Sequence, residues 1–304
     1  MNPNATRRMR RPRLLIVGCG DVGMRVLRLL RGRWQVMALT SSPDRRAELR
    51  AAGAIPLLGD LDRPPSLARL AHVADAVLHL APPPRSGADD PRTLALLRAL
   101  ARGGGVQRLV YASTSGVYGD CGGAWVHETR APHPLTDRAR RRVHAEASVR
   151  AFARALRVRA TVLRVPGIYA LDRPDGDPRE RVRRGTPALV ASEDVFTNHI
   201  HADDLARACV AALHRGPTLR AIHVNDDSAS LLGDHLDQVA DLCGLPRVPR
   251  VTRAQAVLQL DAQRMSFLGE SRRLDNTRMK RELKLALRYP GVESALPIRR
   301  PASA

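Results

Sequence analysis

The sequence predicts an α/β fold: a doubly wound parallel sheet with helices on both faces, followed by a smaller C-terminal lobe. Three observations carry this expectation. Short apolar runs alternate with stretches of helical periodicity over the first 165 residues. The links between them are short, as right-handed βαβ crossovers require. The first strand-to-helix junction holds Gly18-Cys19-Gly20-Asp21-Val22-Gly23, a G-x-G-x-x-G loop in the context of a dinucleotide-binding Rossmann unit.

Residues 13–17 read as the first strand, with Leu14, Leu15, Ile16 and Val17 in one run, and 21–30 as the first helix. Strands are expected at 35–39, 54–58, 76–80, 108–112 and 160–165, and helices at 44–51, 66–71, 93–101 and 136–156. After Val165 the rhythm changes. Residues 170–187 are rich in Pro, Gly, Asp and Arg, 203–213 is helical again, and 221–225 looks like one more strand. The expected organisation is a flexible basic tail at 1–12 and a NAD(P)-binding Rossmann domain at 13–165, to which 195–225 returns. Residues 166–194 and 226–304 would form a C-terminal substrate lobe.

In such a loop Gly18 permits the tight turn, Gly20 lets the backbone approach a pyrophosphate, and Gly23 lets helix and strand pack closely. Cys19 is a small filler, while Asp21 and Val22 open the helix whose free N–H groups receive the anion. The second strand ends at Thr40-Ser41-Ser42, with no acid to grip a ribose 2′-hydroxyl. Small hydroxyls followed by Arg45 and Arg46 suit a 2′-phosphate, so the expected cofactor is NADP or NAD, with NADP favoured. Arg45 and Arg46 also fit a plain solvated helix face.

The net charge of +20 is almost entirely arginine, for the only lysines are Lys280 and Lys284. A polyanion partner would explain it, and so would an arginine-rich composition throughout. Aromatic residues make up only 3% of the chain, which leaves little to stack on bases, and no zinc-finger or RNP-type motif is present. Specific nucleic-acid binding is therefore not expected. The four cysteines show no metal-ligand spacing and no disulfide framework, so no metal is expected. No apolar run reaches the roughly 18 to 20 residues of a membrane span. The polar, basic start lacks the apolar stretch of a secretory signal, and a cytoplasmic protein is expected.

Further segments carry a family resemblance. They are Gly59-Asp60-Leu61, Leu80-Ala81-Pro82, Ser113-Thr114-Ser115-Gly116-Val117-Tyr118-Gly119, Arg164-Val165-Pro166-Gly167-Ile168-Tyr169 and Asn198-His199-Ile200-His201-Ala202-Asp203-Asp204. In order and spacing the chain resembles the extended short-chain dehydrogenases/reductases, the group of NAD-dependent epimerases and dehydratases, and most closely an atypical branch of it. The likeness spans 13–289. It implies that Asp60 and Leu61 lie by the adenine and that Leu80, Ala81 and Pro82 lie beneath the cofactor ribose. It also implies that Pro166 flanks the nicotinamide and that Thr114 takes the active-site Ser/Thr position. A dinucleotide and a small-molecule substrate are the implied partners, and a homodimer through the helices at 93–101 and 136–156 is open.

The catalytic pair departs from this pattern. Family members carry Y-x-x-x-K on the long helix, four residues before a common Glu, here best matched by Glu146. That register puts Arg142 at the Lys position and Arg138 at the Tyr position, and no Y-x-x-x-K occurs anywhere in the chain. Tyrosine exchanges a proton with substrate while hydride moves; arginine stays protonated and is a poor shuttle. Arg142 could still grip ribose oxygens, and Arg138 could bind an anionic substrate or polarise a carbonyl. The remaining nearby acid–base groups are Thr114, Ser113, Ser115, Tyr118, His127, His133 and His144. Two functions follow as expectations. One is a NAD(P)-dependent oxidoreductase or epimerase-like enzyme with a rebuilt site. The other is a catalytically inactive NAD(P)(H) sensor acting through a protein partner.

Overall fold

The structure, a computed structural model, describes residues 11–173 and 175–296. Most of the expected tail at 1–12, and the last eight residues of the expected lobe, lie outside the described residues. β1 (Arg13–Val17) leads through the glycine loop into α1 (Asp21–Leu30). There follow β2 (Gln35–Thr40), α2 (Arg45–Ala51), β3 (Ile55–Leu58), a 3-10 segment (Pro64–Leu70), β4 (Ala76–His79), α3 (Pro91–Ala101) and β5 (Arg108–Thr114). A 3-10 turn (Ser115–Tyr118) and β6 (Trp125–Val126) precede the long α4 (Asp137–Leu156) and β7 (Arg159–Val165). Beyond lie β8 (Gly167–Tyr169), α5 (Pro178–Arg183), β9 (Ala188–Leu189), β10 (His199–His201), α6 (Ala202–Arg215) and β11 (Arg220–His223). The chain then runs through α7 (Leu232–Cys243), β12 (Arg250–Val251), α8 (Arg253–Gln259), α9 (Ala262–Leu268), β13 (Arg273–Leu274) and α10 (Thr277–Glu282).

Seven strands form one parallel sheet in the order β11-β7-β5-β4-β1-β2-β3. The chain steps outward from β1 to β3, then returns to place β4 on the other side of β1. This reversal opens a crevice at the carboxyl ends of β1 and β4, where ligands of doubly wound sheets bind. Side chains alternate across the sheet. Leu14 and Ile16 join Val26 and Leu30 of α1 and Leu205 and Leu213 of α6 in one layer. Leu15 and Val17 join Leu96 and Leu100 of α3 and Val149 of α4 in the other. A separate cluster, with Leu189, Leu236, Val239 and Leu268, forms the heart of the later elements.

Several bounds differ from expectation for local reasons. The segment expected as a helix at 66–71 is a 3-10 segment beginning at Pro64-Pro65, where the missing N–H groups cost nothing in a first turn. α3 starts at Pro91 because Asp90 caps it, accepting from the Thr93 N–H at 3.0 Å. The strand expected at 221–225 ends at His223. Met279, Leu283 and Leu285, which the sequence assigns to the C-terminal lobe, bury themselves in the sheet layer beneath α1 and α6. Among the described residues no helix is long and apolar enough to cross a membrane.

Candidate functional site

A cleft of about 700 Å3 opens at the carboxyl end of the sheet. It is lined by Gly18, Cys19, Gly20, Asp21, Val22 and Gly23, by Thr40, Ser41, Ser42 and Arg45, and by Asp60 and Leu61. Leu80, Ala81, Pro82, Thr114, Arg142 and Pro166 complete the expected set. Arg138 does not line it.

The glycines divide the work of the loop. Gly18 has φ +84, and a Cβ there would run into the backbone of Ala81 just past β4. That close approach brings the loop onto the crevice floor. Gly20 is different: a Cβ there would meet nothing within 4 Å. It precedes α1, whose start carries no side-chain cap, so the first N–H groups donate no hydrogen bond to a capping side chain. The cradle over Gly20 fits a pyrophosphate. A Cβ on Gly23 would come 3.2 Å from Cys19 Sγ and 3.4 Å from the Gly18 carbonyl oxygen, so this glycine closes the loop on itself rather than against a strand. Burial pushes the Cys19 thiol up to about 11, which makes it an inert filler.

At the end of β2, Thr40 Oγ1 accepts from the Ser42 N–H at 3.2 Å and so shapes the turn. Arg45 Nη1 donates to the Cys19 carbonyl at 2.8 Å, while its Nε donates to Glu48 at 3.0 Å. Arg46 lies elsewhere, lining a small hollow with Pro56, Leu57 and Ser66.

At the opposite end Thr114 closes β5. Its Oγ1 accepts from the Gly116 N–H at 3.2 Å and starts the 3-10 turn. Arg142 is anchored to β5: Nη1 donates to Tyr111 Oη at 3.0 Å and to the Ala112 carbonyl at 2.9 Å. Burial pushes the Tyr111 phenol up to about 12, against the pull of Arg142. One helical turn away, Arg138 lays its guanidinium 4.4 Å over the ring of Phe267 on α9. Burial lowers its pKa from the ordinary value, Glu270 opposes that shift, and Arg141, Arg272 and Arg142 add to it.

A model of the NAD dependent epimerase/dehydratase family matches residues 14–225. The chain belongs to that family. Its fold is similar to that of a functionally unknown protein from Silicibacter pomeroyi DSS, at 30% identity and TM-score 0.78, over 93% of this chain and 96% of that one. It is also similar to UDP-glucuronic acid 4-epimerase from Bacillus cereus in complex with NAD, at 16% identity and TM-score 0.72, over 94% and 96%. A third likeness is to DesIV, the dTDP-glucose 4,6-dehydratase from Streptomyces venezuelae, with NAD and TYD bound, at 22% identity and TM-score 0.71, over 89% and 90%. No curated protein matches the sequence.

Within this epimerase/dehydratase fold the acid–base candidates are mostly engaged in structure. Arg164 donates to both oxygens of Glu146, at 3.0 and 2.8 Å, and to Tyr118 Oη at 2.6 Å. Tyr118 Oη in turn lies 2.6 Å from His223 Nε2, and His223 Nδ1 is 3.0 Å from the Asp275 carbonyl. Burial pushes Tyr118 up to about 12 and His223 down to about 3. His127 and His133 are exposed, and His144 Nδ1 accepts from the Asp90 N–H at 3.0 Å. Among the described residues neither a tyrosine nor a lysine lines the cleft.

Arg92, Arg173 and Glu270 are among the residues missed from sequence. Arg92 and Arg173 both line the cleft. Arg92 is paired with Asp62 at 2.5 Å. Glu270 approaches Thr114: a Cβ on Gly116 would stand 3.6 Å from Thr114 Oγ1 and 3.9 Å from Glu270 Oε2. None belongs to a motif, and only the folded path of the later elements brings Arg173 and Glu270 here.

Proposed function

We propose that the protein is a NAD(P)-dependent oxidoreductase of the epimerase or dehydratase kind, with a rebuilt substrate end and an anionic substrate. The observation that carries this reading is that Thr114 and Arg142 line the same cleft as the glycine loop. When bound, the nicotinamide supplies the hydride acceptor or donor. The Thr114 hydroxyl donates to the substrate oxygen at the reacting carbon. Arg142, held by Tyr111 and Ala112, presents its free donors to the cofactor ribose. Arg138 holds charge and moves no proton, since arginine stays protonated. Among the described residues Arg141, Arg142 and Arg272 crowd Arg138 with positive charge, and Glu270 opposes them. A carboxylate or phosphate on the substrate balances that excess. The hydroxyls at 40–42 with Arg45 favour NADP over NAD. A homodimer through α3 and α4 belongs to the same reading.

Calorimetry with NADP+, NADPH, NAD+ and NADH, with Gly20→Asp as control, tests the cofactor. Turnover of UDP-glucose and UDP-glucuronic acid, with and without Thr114→Ala, tests the chemistry. Cofactor binding with turnover lost on that substitution supports the enzyme.

A second reading, an inactive NAD(P)(H) sensor acting through a protein partner, is favoured by one observation. Tyr118, four residues after Thr114, is locked between Arg164 and His223. Different affinities for the oxidised and reduced cofactors, without turnover, would favour the sensor.

A further inference from the structure

One wall of the cleft belongs to a residue outside every motif. Arg173 lies on the loop between β8 and α5 and lines the cleft beside the glycine loop. Its Nη1 donates to Asp21 Oδ2 at 2.6 Å. Asp21 is the first residue of α1, so its carboxylate stands where the helix start offers N–H groups to an anion. The other Asp21 oxygen accepts from Arg25 Nε at 3.1 Å. Arg25 is buried and donates to Asp172 and Asp203 as well, each at 2.6 Å. Its guanidinium is thus shared among three carboxylates and lies outside the cleft lining. Arg173 is the cation of this cluster that faces the cleft. Among the described residues Asp21 is its one side-chain partner, which leaves donors of its fork free.

The charges make a specific arrangement. Three carboxylates, Asp21, Asp172 and Asp203, meet two guanidinium groups, Arg25 and Arg173. A diphosphate seated on the helix start would meet the Asp21 carboxylate as a like charge, and Arg173, already hydrogen-bonded to that carboxylate, can offset it from the cleft side. The planar fork suits phosphate oxygens, and its exchange of partner from carboxylate to phosphate needs only a side-chain turn.

We propose that Arg173 is a ligand of the cofactor diphosphate, parked on Asp21 until the diphosphate arrives, and that Asp21 sets the affinity by competing for it. This rests on the reading of the cleft as a dinucleotide site. It separates Arg173 from an ordinary surface ion pair, in which both partners act only on stability. The two roles predict different signs. If the pair is merely structural, removing either member has the same effect. If Arg173 binds the diphosphate, removing the arginine weakens binding and neutralising the aspartate strengthens it.

The experiment is calorimetry on the full chain with ADP-ribose, which keeps both phosphates, and with adenosine in competition, which has none. Wild type, Arg173→Ala, Arg173→Lys and Asp21→Asn are compared, with thermal midpoints recorded for each. Asparagine keeps an acceptor for Arg25. The expected result is an ADP-ribose Kd raised about tenfold or more by Arg173→Ala, the worth of one charge-assisted hydrogen bond. Arg173→Lys should fall between, Asp21→Asn should lower the Kd, and adenosine should bind all four alike. If Arg173→Ala fails to fold, the lysine and asparagine variants still give the opposite signs. An unchanged Kd in Arg173→Ala, or losses of the same sign in Arg173→Lys and Asp21→Asn, would overturn the proposal while leaving the dinucleotide site standing. Failure of wild type to bind ADP-ribose would overturn both.

Discussion

Arg164 and Glu146 meet fork to fork beneath the cleft, Nε 3.0 Å from Oε1 and Nη2 2.8 Å from Oε2, with both side chains sealed from water. Burial opposes ionisation of Glu146, but the hydrogen bonds and charge of Arg164 outweigh it and hold the carboxyl below its ordinary value. The pair therefore contributes stability above the unfolded carboxyl pKa of about 4.3 and loses it as pH falls through the lower folded value. Glu146→Gln leaves a buried guanidinium without its counter-charge and should cost about 3–5 kcal/mol. Urea denaturation at neutral pH measures this. The variant should also show a shallower loss of stability toward acid than wild type.

Gly18 and Gly20 should fail in different ways. Gly18→Ala meets both a left-handed backbone and the Ala81 main chain, so it should lower the melting temperature. Gly20→Asp projects into open space, so it should fold near wild type yet lose dinucleotide binding. Thermal melts paired with calorimetry separate the two. A folded Gly20→Asp that still binds would move the pyrophosphate away from this loop.

Arg45, the first residue of α2, reaches over to the Cys19 carbonyl of the glycine loop. Arg45→Ala should raise the Kd for NADP+ about tenfold and that for NAD+ much less, since one charge-assisted contact to a phosphate is worth about that factor. Equal loss for both cofactors would show that the guanidinium only braces the Cys19 carbonyl.

Asp226 should give stability an unusual dependence between about pH 4 and pH 7. Burial pushes its carboxyl up to about 7. A raised carboxyl favours the fold fully below the unfolded value near 3.9 and withdraws that support as pH rises through about 7. Asp226→Asn keeps an acceptor for Ser228 and should raise the melting temperature more at pH 8 than at pH 5. Buried His79 and His235, both pushed by burial down to about 4, act in the other direction. Their support is complete above about 6.5 and fades as pH falls.

The sheet was legible because each strand of the first half is a short apolar run bounded by helix or turn signals, and the glycine loop marked the switch point. That the strand-end residues line one cleft was legible for the same reason: they follow strand ends in chain order. The substrate end was less so. Arg138 and Arg142 share a helix face in sequence, yet Arg142 turns to Tyr111 and Ala112 while Arg138 turns to Phe267. Periodicity gives the face of a helix but not which neighbour each long side chain finds. Glu270 and Arg173 lie in segments of weak pattern, where tertiary packing alone decides position. The prolines at 64 and 65 show the converse, a local rule strong enough to have corrected the helix expected at 66–71.

The guanidinium of Arg138 resting on Phe267 ties the long helix of the sheet domain to a seven-residue helix late in the chain. A tyrosine placed at 138 would therefore present its phenol to an aromatic wall. A change at either end of that contact is felt at the other, so the long helix and the distant short one are constrained to vary together at this point.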